Sequence, residues 1–363
     1  MNEDRASRYH RLRRRAAVAS TVANAAWLLL LILSGAAVSL ARWAEEHGAR
    51  FTPTVGRTLS ISLFVLIVAL GHELIALPFS LYRSFVLDRR YGLSTEPIRT
   101  WLGDHLKAAA LGLIVTLGAA IAISASMHLT RTWWWALCVL IFTLVGMLVT
   151  IVTPILLMPL FYRFRPLERV LLRDRLLTLS RRAGIAALGA FEWGLGEKTT
   201  RANAALVGLG RTRRILVSDT LLKDYSDDEI EVILAHEIGH HVNRDIWSAL
   251  AIETGALTAA LLAAHVVLLR FGAALGVHDS RELASLPMIA LTAGAVSMLL
   301  APIGNAWSRS HERRADQFAL ALTGQPSAFI SAMRRLGAQN LAEDRPSLPA
   351  FWFFHTHPTI DER

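Results

Sequence analysis

Six apolar runs constrain this chain more than any other feature. They lie at about 17–41, 58–82, 108–128, 133–161, 248–275 and 284–307, and each approaches or exceeds the roughly 20 residues that a bilayer-spanning helix needs. Of the 363 residues, 53% are apolar and only 18% charged, which agrees with a chain whose main solvent is lipid. Lys and Arg crowd the N-terminus, 83–107, 162–246 and 308–363, whereas the connections at 42–57, 128–132 and 276–283 are shorter and less basic. Six crossings put all the basic-rich segments on one side, and the positive-inside bias makes that side the cytoplasm. The first run follows Arg5, Arg8, Arg11, Arg13, Arg14 and Arg15. It is long enough to span and lacks a small-residue cleavage site, which predicts an uncleaved first helix.

The net charge of +9 then reads as topology signal and contact with anionic lipid, not as a nucleic-acid surface. Cys138, the one cysteine, sits inside an apolar run. That excludes a disulfide framework and a cysteine-built metal site, so His and carboxylates are the available donors for a transition metal.

Between the fourth and fifth runs the texture changes. Pro166 is expected to open a helix running to about Ala183, and residues 203–207 and 214–218 read as short strands joined by a turn at Gly208 and Gly210. Ser226 with Glu229 three positions on matches a capping box. The helix it starts continues through Ile230, Ile233 and Leu234 into His236-Glu237-Ile238-Gly239-His240. In this HExxH pattern the two His lie one turn apart on one helical face, so both imidazoles can reach one ion. Glu237, about 100° round the helix, addresses water instead of the ion and suits a general base. The pentapeptide alone arises by chance often enough that its context has to carry the argument; the capped helix supplies that context.

Catalytic zinc usually takes three protein ligands. Glu312 is the candidate third, in a stretch that emerges from the sixth run as a helix with Ala315, Phe318, Ala319 and Leu322 on its apolar face, ending at Gly324 before Pro326. Asp316 shares the face of Glu312 and could accept the outer N–H of a ligand imidazole. On spacing alone, a solvated face of helix ion pairs through Glu312, Arg313 and Arg314 explains the same residues equally well. His72, Glu73, Glu253 and His265 fall inside spans, where a charge must face protein or water; helix–helix hydrogen bonding and a part in substrate passage both stay open. Trp133, Trp134 and Trp135 read as an interfacial belt.

HExxH paired with a later Glu-x-x-x-Asp in a multi-span chain resembles the type 1 CAAX prenyl proteases, a family of membrane zinc metalloproteases. Further stretches agree: Leu77-Pro78-Phe79-Ser80-Leu81-Tyr82 on through Asp88 to Tyr91-Gly92-Leu93; Pro159-Leu160-Phe161 with Phe164 and Pro166-Leu167; Asn203-Ala204, Gly208, Arg214-Ile215 and Asp219-Thr220-Leu221-Leu222; and His357-Pro358 with Glu362-Arg363. The likeness covers about 77–363. It implies one zinc ion per chain held by His236, His240 and Glu312, with Glu237 as base. It further implies that His357 contacts the substrate carbonyl or its oxyanion and that Asn203 and Ala204 lie along a bound peptide. Six spans are one fewer than eukaryotic members usually show.

The expected fold is therefore an all-α multi-span membrane protein, six transmembrane helices enclosing a chamber, with a small α+β zincin-like catalytic domain. Its parts are a four-span N-terminal region (1–161), a cytoplasmic catalytic domain (162–246), two further spans (247–307) and the C-terminal part of the catalytic domain (308–363). The expected activity is a membrane zinc metalloendopeptidase acting on a peptide or protein, with a prenylated C-terminus as the substrate the likeness implies. A broad-specificity quality-control protease, a transporter with a structural metal and a catalytically silent scaffold are the rivals. Substrate is expected to add as an extended strand along 203–207.

Overall fold

In the computed structural model, which describes residues 4–208 and 210–363, helices long and apolar enough to cross a bilayer are α1 (Arg5–Leu33), α3 (Pro53–Arg90), α4 (Ile98–Leu129), α5 (Trp134–Leu160), α9 (Asp245–Phe271) and α10 (Ser285–Thr323). Their outward side chains are apolar. Leu140, Leu144 and Leu148 line up one turn apart on α5, all more than half exposed, an arrangement that is stable only where the surrounding solvent is itself apolar. A short amphipathic helix, α2 (Ala36–Gly48), joins α1 to α3; the sequence reading had merged its first turn with the first span.

The bundle core gathers Phe64, Met127, Trp134, Cys138, Leu261 and Met288. Trp134 is fully buried and donates its indole N–H to Nδ1 of His265 at 3.0 Å. Only Trp133, 62% exposed, keeps the surface position expected of a belt. His265 and Trp134 thus form a structural pair. Glu73 is held by His105 at 2.6 Å, from α3 to α4. Glu253 borders a small cavity with Thr150 and Trp247.

The layer beyond the bundle holds β1 (Arg163–Pro166), α6 (Val170–Arg182), β2 (Ala190–Gly194), β3 (Ala204–Val207), β4 (Arg214–Ser218), α7 (Asp219–Asp224) and α8 (Asp227–Val242). The sheet order is β1-β2-β4-β3, with β2 and β4 parallel and the outer pairs antiparallel. Pro166 ends β1 and does not open a helix. The edge position explains this: a proline lacking an N–H costs little where no neighbour needs the donor, and α6 starts only at Val170. Beneath the sheet Leu172, Leu176 and Leu179 of α6 pack on Ile230, Ile233 and Leu234 of α8.

α10 runs unbroken for 39 residues, through position 308 and out of the bundle, to Gly324. That glycine takes a left-handed conformation, φ 64°, which an L side chain resists and which stops the helix. After it come α11 (Pro326–Gln339) and α12 (Leu348–Phe354). The arginine-rich first turns of α1 are built into this layer. Tyr9, fully buried, donates to Asp88 at 2.6 Å, His10 donates to the Leu341 carbonyl at 2.7 Å, and Arg14 pairs with Glu343. Charge counting assigns these arginines to topology and anionic-lipid contact, and does not show their part in this layer.

Candidate metal centre

α8 is nucleated as its sequence predicts. The Ser226 hydroxyl accepts from the Glu229 N–H, Glu229 accepts from the Ser226 N–H, and three acidic residues fill the first turn. One face of the helix is sealed by Ile230, Ile233, Leu234 and Ile238, which turns His236 and His240 toward α10. The approach of α10 depends on Gly239. A Cβ there would sit 3.1 Å from Cα of Ala315 and 3.2 Å from the Phe318 ring, so the glycine and Ala315 together let the two backbones close far enough for Glu312 to reach the imidazoles.

The result is a convergent donor set. One ligand atom from each of His236, His240 and Glu312 lies within 4.8 Å of the others. Glu312 offers Oε2 at 3.3 Å from Nε2 of His236 and Oε1 at 3.4 Å from Nε2 of His240. Nδ1 of His236 is 2.8 Å from Asp316, and Nδ1 of His240 is 2.8 Å from Asp245. With each Nδ1–H donated to a carboxylate, both Nε2 lone pairs point inward, and they stand 3.2 Å apart. Two acceptors facing each other repel unless a cation lies between them. Buried Oε2 of Glu312 accepts no hydrogen bond from the described residues, although Nδ1 of His357 is 2.8 Å away. The donors present therefore fit a divalent metal ion.

The electrostatics agree. Burial works against a charged His236, but the neighbouring carboxylates of Asp316 and Glu312 outweigh it and lift its pKa to about 9. His240 rises too, burial being outweighed by Glu312 and Asp245. These carboxylates draw positive charge to the point where the two rings meet, which a bound cation supplies more fully than a proton. Glu237, half-buried, lines a cavity of about 580 Å³ together with His236, Glu312 and His357. Burial pushes its carboxyl up, and His236 and His240 pull it back only in part.

The outer contacts are unequal. Asp316 also binds Arg363, whose Nε donates at 2.8 Å. Asp245 also holds His311 at 2.5 Å and Arg314 at 3.3 Å. Asp245, His311 and Arg363 were not foreseen as site residues. Asp245 follows α8 by only a few positions, and its aim depends on Arg244, whose left-handed φ of 57° reverses the chain at a cost of order 1–3 kcal/mol. No pattern in the sequence announces that turn.

His357 and the exposed Asn203 both line the cavity, as does buried Ala204. β3 is an edge strand, as a docking surface requires. The Ser218 N–H donates to the Asn203 carbonyl at 2.9 Å, so by antiparallel alternation Ala204 and Leu206 turn their backbone groups to the open edge. His241 donates to the Leu206 carbonyl at 2.7 Å. The open part of the edge is thus centred on Ala204, shorter than the 203–207 expected.

Comparison with known proteins decides the family. A profile described as the CAAX prenyl protease N-terminal region, with five membrane helices, matches residues 2–163. The profile of peptidase family M48 matches 166–363. The chain belongs to peptidase family M48. An uncharacterized metalloprotease of Bacillus subtilis is 28% identical over 93% of this chain and 79% of its own length. A probable CAAX prenyl protease 1 of Schizosaccharomyces pombe is 26% identical over 88% of this chain and 69% of its own. CAAX prenyl protease 1 of Saccharomyces cerevisiae reaches 32%, over 46% and 37%. The crystal structure of S. mikatae Ste24p superposes with a TM-score of 0.85 over 98% of this chain and 86% of that one, at 22% identity, which establishes the fold. This M48 chain is a membrane metalloprotease, and the transporter reading is not favoured.

Proposed function

We propose that this M48 protein holds one zinc ion through His236, His240 and Glu312 and hydrolyses peptide bonds of proteins presented at the cytoplasmic face of the membrane. The observation that carries the reading is the facing pair of imidazole Nε2 atoms, 3.2 Å apart, beside a buried carboxylate. Two imidazoles and one carboxylate are a common donor set for catalytic zinc, which supplies a Lewis acid that activates water near neutral pH.

The chain's own residues do the rest. Asp316 and Asp245 fix the tautomers of the two rings. Glu237 takes the proton of the attacking water and passes it to the leaving amine; its raised pKa suits a group that must accept and then release a proton. His357, largely exposed toward the cavity, is placed to donate to the oxygen that gains charge at the scissile carbonyl. The open edge at Ala204, with the Asn203 amide beside it, binds peptide backbone and so accepts varied side chains. CAAX proteases among the relatives support a prenylated C-terminus as substrate. The basic residues beside the catalytic layer support a cytoplasmic site; labelling of cysteine at Arg345, in a chain lacking Cys138, solely from the opposite face would reverse that orientation.

The test uses purified full-length protein. Wild type should carry about one zinc per chain and cleave peptides identifiable by mass spectrometry. Glu237→Gln should keep the zinc and lose roughly 10²–10⁴-fold in turnover, the usual worth of a general base. Near wild-type cleavage by Glu237→Gln would remove Glu237 from the mechanism.

A further inference from the structure

The end of the bundle away from the metal centre holds a cavity of about 260 Å³. It is lined by Glu45 of α2, Arg57 of α3, Ser124 and His128 of α4, and Arg281 of the segment before α10. α10 starts just beyond that segment at Ser285 and carries Glu312 in its far half, roughly 40 Å away along a helix that rises 1.5 Å per residue. The frame of the cavity is tightly built. α2 and α3 meet at Gly48 and Gly56, where a Cβ on either would run into the carbonyl oxygen of the other.

Arg57 and Glu45 are opposite charges on one small cavity, yet no ion pair among the described residues joins them. Arg57 is drawn to α4 instead. Its Nη2 donates to the carbonyl and the hydroxyl of buried Ser124, both at 2.9 Å, and touches Nδ1 of His128. Among the described residues Nε and Nη1 of Arg57 have no partner, and neither has the Glu45 carboxylate. Burial and the charge of nearby Glu282 both push the Glu45 carboxyl up, and a cation beside it would relieve both. Arg281 is already answered by Asp279, which accepts from its Nε at 3.0 Å. The cavity thus offers a guanidinium to an anion and, apart from it, a carboxylate to a cation.

Its depth in the bilayer follows from its neighbours. Arg131 ties the turn between α4 and α5 to the segment before α10, pairing with Asp279 at 3.1 Å. Two residues on, Trp133 is 62% exposed, and an exposed tryptophan at the end of a span marks headgroup level. Phe51 of the lining, Val55 and Leu129 are all more than half exposed, an apolar surface suited to the upper part of acyl chains. We infer that the cavity binds the headgroup of phosphatidylethanolamine, with the phosphate on Arg57 and the primary ammonium on Glu45. A guanidinium grips a phosphate in two-point contact. A primary ammonium donates hydrogen bonds to a carboxylate, which the quaternary ammonium of phosphatidylcholine cannot do. The bound lipid joins α2, α3 and α4 at the end of the bundle far from the chemistry, and the inference stands apart from the protease reading.

The experiment places the full-length protein in micelles with equal amounts of phosphatidylethanolamine, phosphatidylcholine and phosphatidylglycerol of the same acyl chains. Native mass spectrometry counts the lipid each chain retains. Wild type should keep phosphatidylethanolamine about tenfold over either competitor, the scale of one charged hydrogen-bonded contact. Arg57→Gln and Glu45→Gln should each bring it down to the level of phosphatidylcholine, and Arg57→Lys should keep part of the preference. Elution as one monodisperse species reports whether a variant is folded; if one is not, the ranking in wild type decides alone. Equal retention of the three lipids overturns the inference. So does a preference for phosphatidylglycerol, which shows that the anion alone is read, or a preference unchanged in Arg57→Gln and Glu45→Gln. Displacement of the lipid by an equal concentration of glycerophosphoethanolamine assigns the cavity to a soluble ligand and also overturns it.

Discussion

Met298, Leu299 and Ile303 on the first half of α10 turn outward, Leu299 being 74% exposed, while Arg309, His311, Glu312 and Asp316 on the second half are all buried. One continuous helix thus follows two opposite burial rules. Along the first half, lipid is the solvent, and an outward leucine loses nothing by facing it. Along the second, each buried charge has an assigned partner. Arg309 donates to the carbonyls of Phe351 at 3.2 Å and His355 at 2.6 Å, His311 meets Asp245, and Asp316 meets His236 and Arg363. Glu312 differs from these in leaving an oxygen without a hydrogen bond. Exposure along this helix reports which solvent is present, and a buried charge lacking a full set of hydrogen bonds reports chemistry.

The largest expected effect follows from that difference. Glu312→Ala should reduce bound metal from about one per chain to a small fraction and abolish cleavage, because two imidazoles alone do not make a tight site. Elemental analysis of the purified variant checks this; full occupancy would return Glu312 to the class of merely paired charges. Next come the carboxylates behind the imidazoles. Asp316→Ala and Asp245→Ala should each cost roughly 10–100-fold in metal affinity or activity. Both should also lower stability. Asp245→Ala strips buried His311 of its carboxylate, and Asp316→Ala strips Arg363 of its nearest carboxylate, each a further loss of about 1–3 kcal/mol, visible as lower thermal stability with metal chelated. Unchanged stability in either variant would mean that the stranded group finds another acceptor.

A smaller effect is expected at the β3 edge. Asn203 is exposed, so Asn203→Ala should leave metal content and folding unchanged while lowering kcat/KM by the value of one hydrogen bond, about 0.5–1.5 kcal/mol. Unchanged kcat/KM with peptide substrates would release Asn203 from the substrate path.

Much of this could be read from the chain because the informative signals are local and periodic. Apolar length gave the spans, and helical spacing gave His236, Glu237 and His240. The Ser226–Glu229 capping box gave the helix that presents them, and the Gly324 stop gave the end of α10. What escaped was set by tertiary contact. β1 and β2 are four and five residues long, too short for alternation to stand out. Trp134 sits in the same tripeptide as the surface Trp133, and only bundle packing separates them. Asp245 and Arg363 act through turns and a chain end whose path the sequence does not encode locally. Arg13 and Arg14 look like interchangeable basic residues in the sequence, yet Arg14 pairs with Glu343 and Arg13 donates to the Tyr9 hydroxyl.

The smallest expected effect tests the lipid half of the comparison. Leu299→Ala removes a large apolar side chain. In a water-soluble core that costs 2–5 kcal/mol, since the transfer energy of the lost atoms and the cavity left behind both count. At Leu299 neither term applies. The side chain is already outside the protein, and lipid chains are as apolar as leucine and flow into the space vacated. The stability change should stay within about 0.5 kcal/mol, with metal content and kcat/KM unaltered, as measured by thermal inactivation in nanodiscs. Ala315→Leu supplies the contrast on the same helix: Ala315 is fully buried against Gly239, and added volume there should cost about 1–3 kcal/mol and push Glu312 away from the imidazoles. A loss of 2 kcal/mol or more at Leu299, on the scale of core truncations, would show that protein and not lipid covers that face, and the first half of α10 would then have to be reread as an interface.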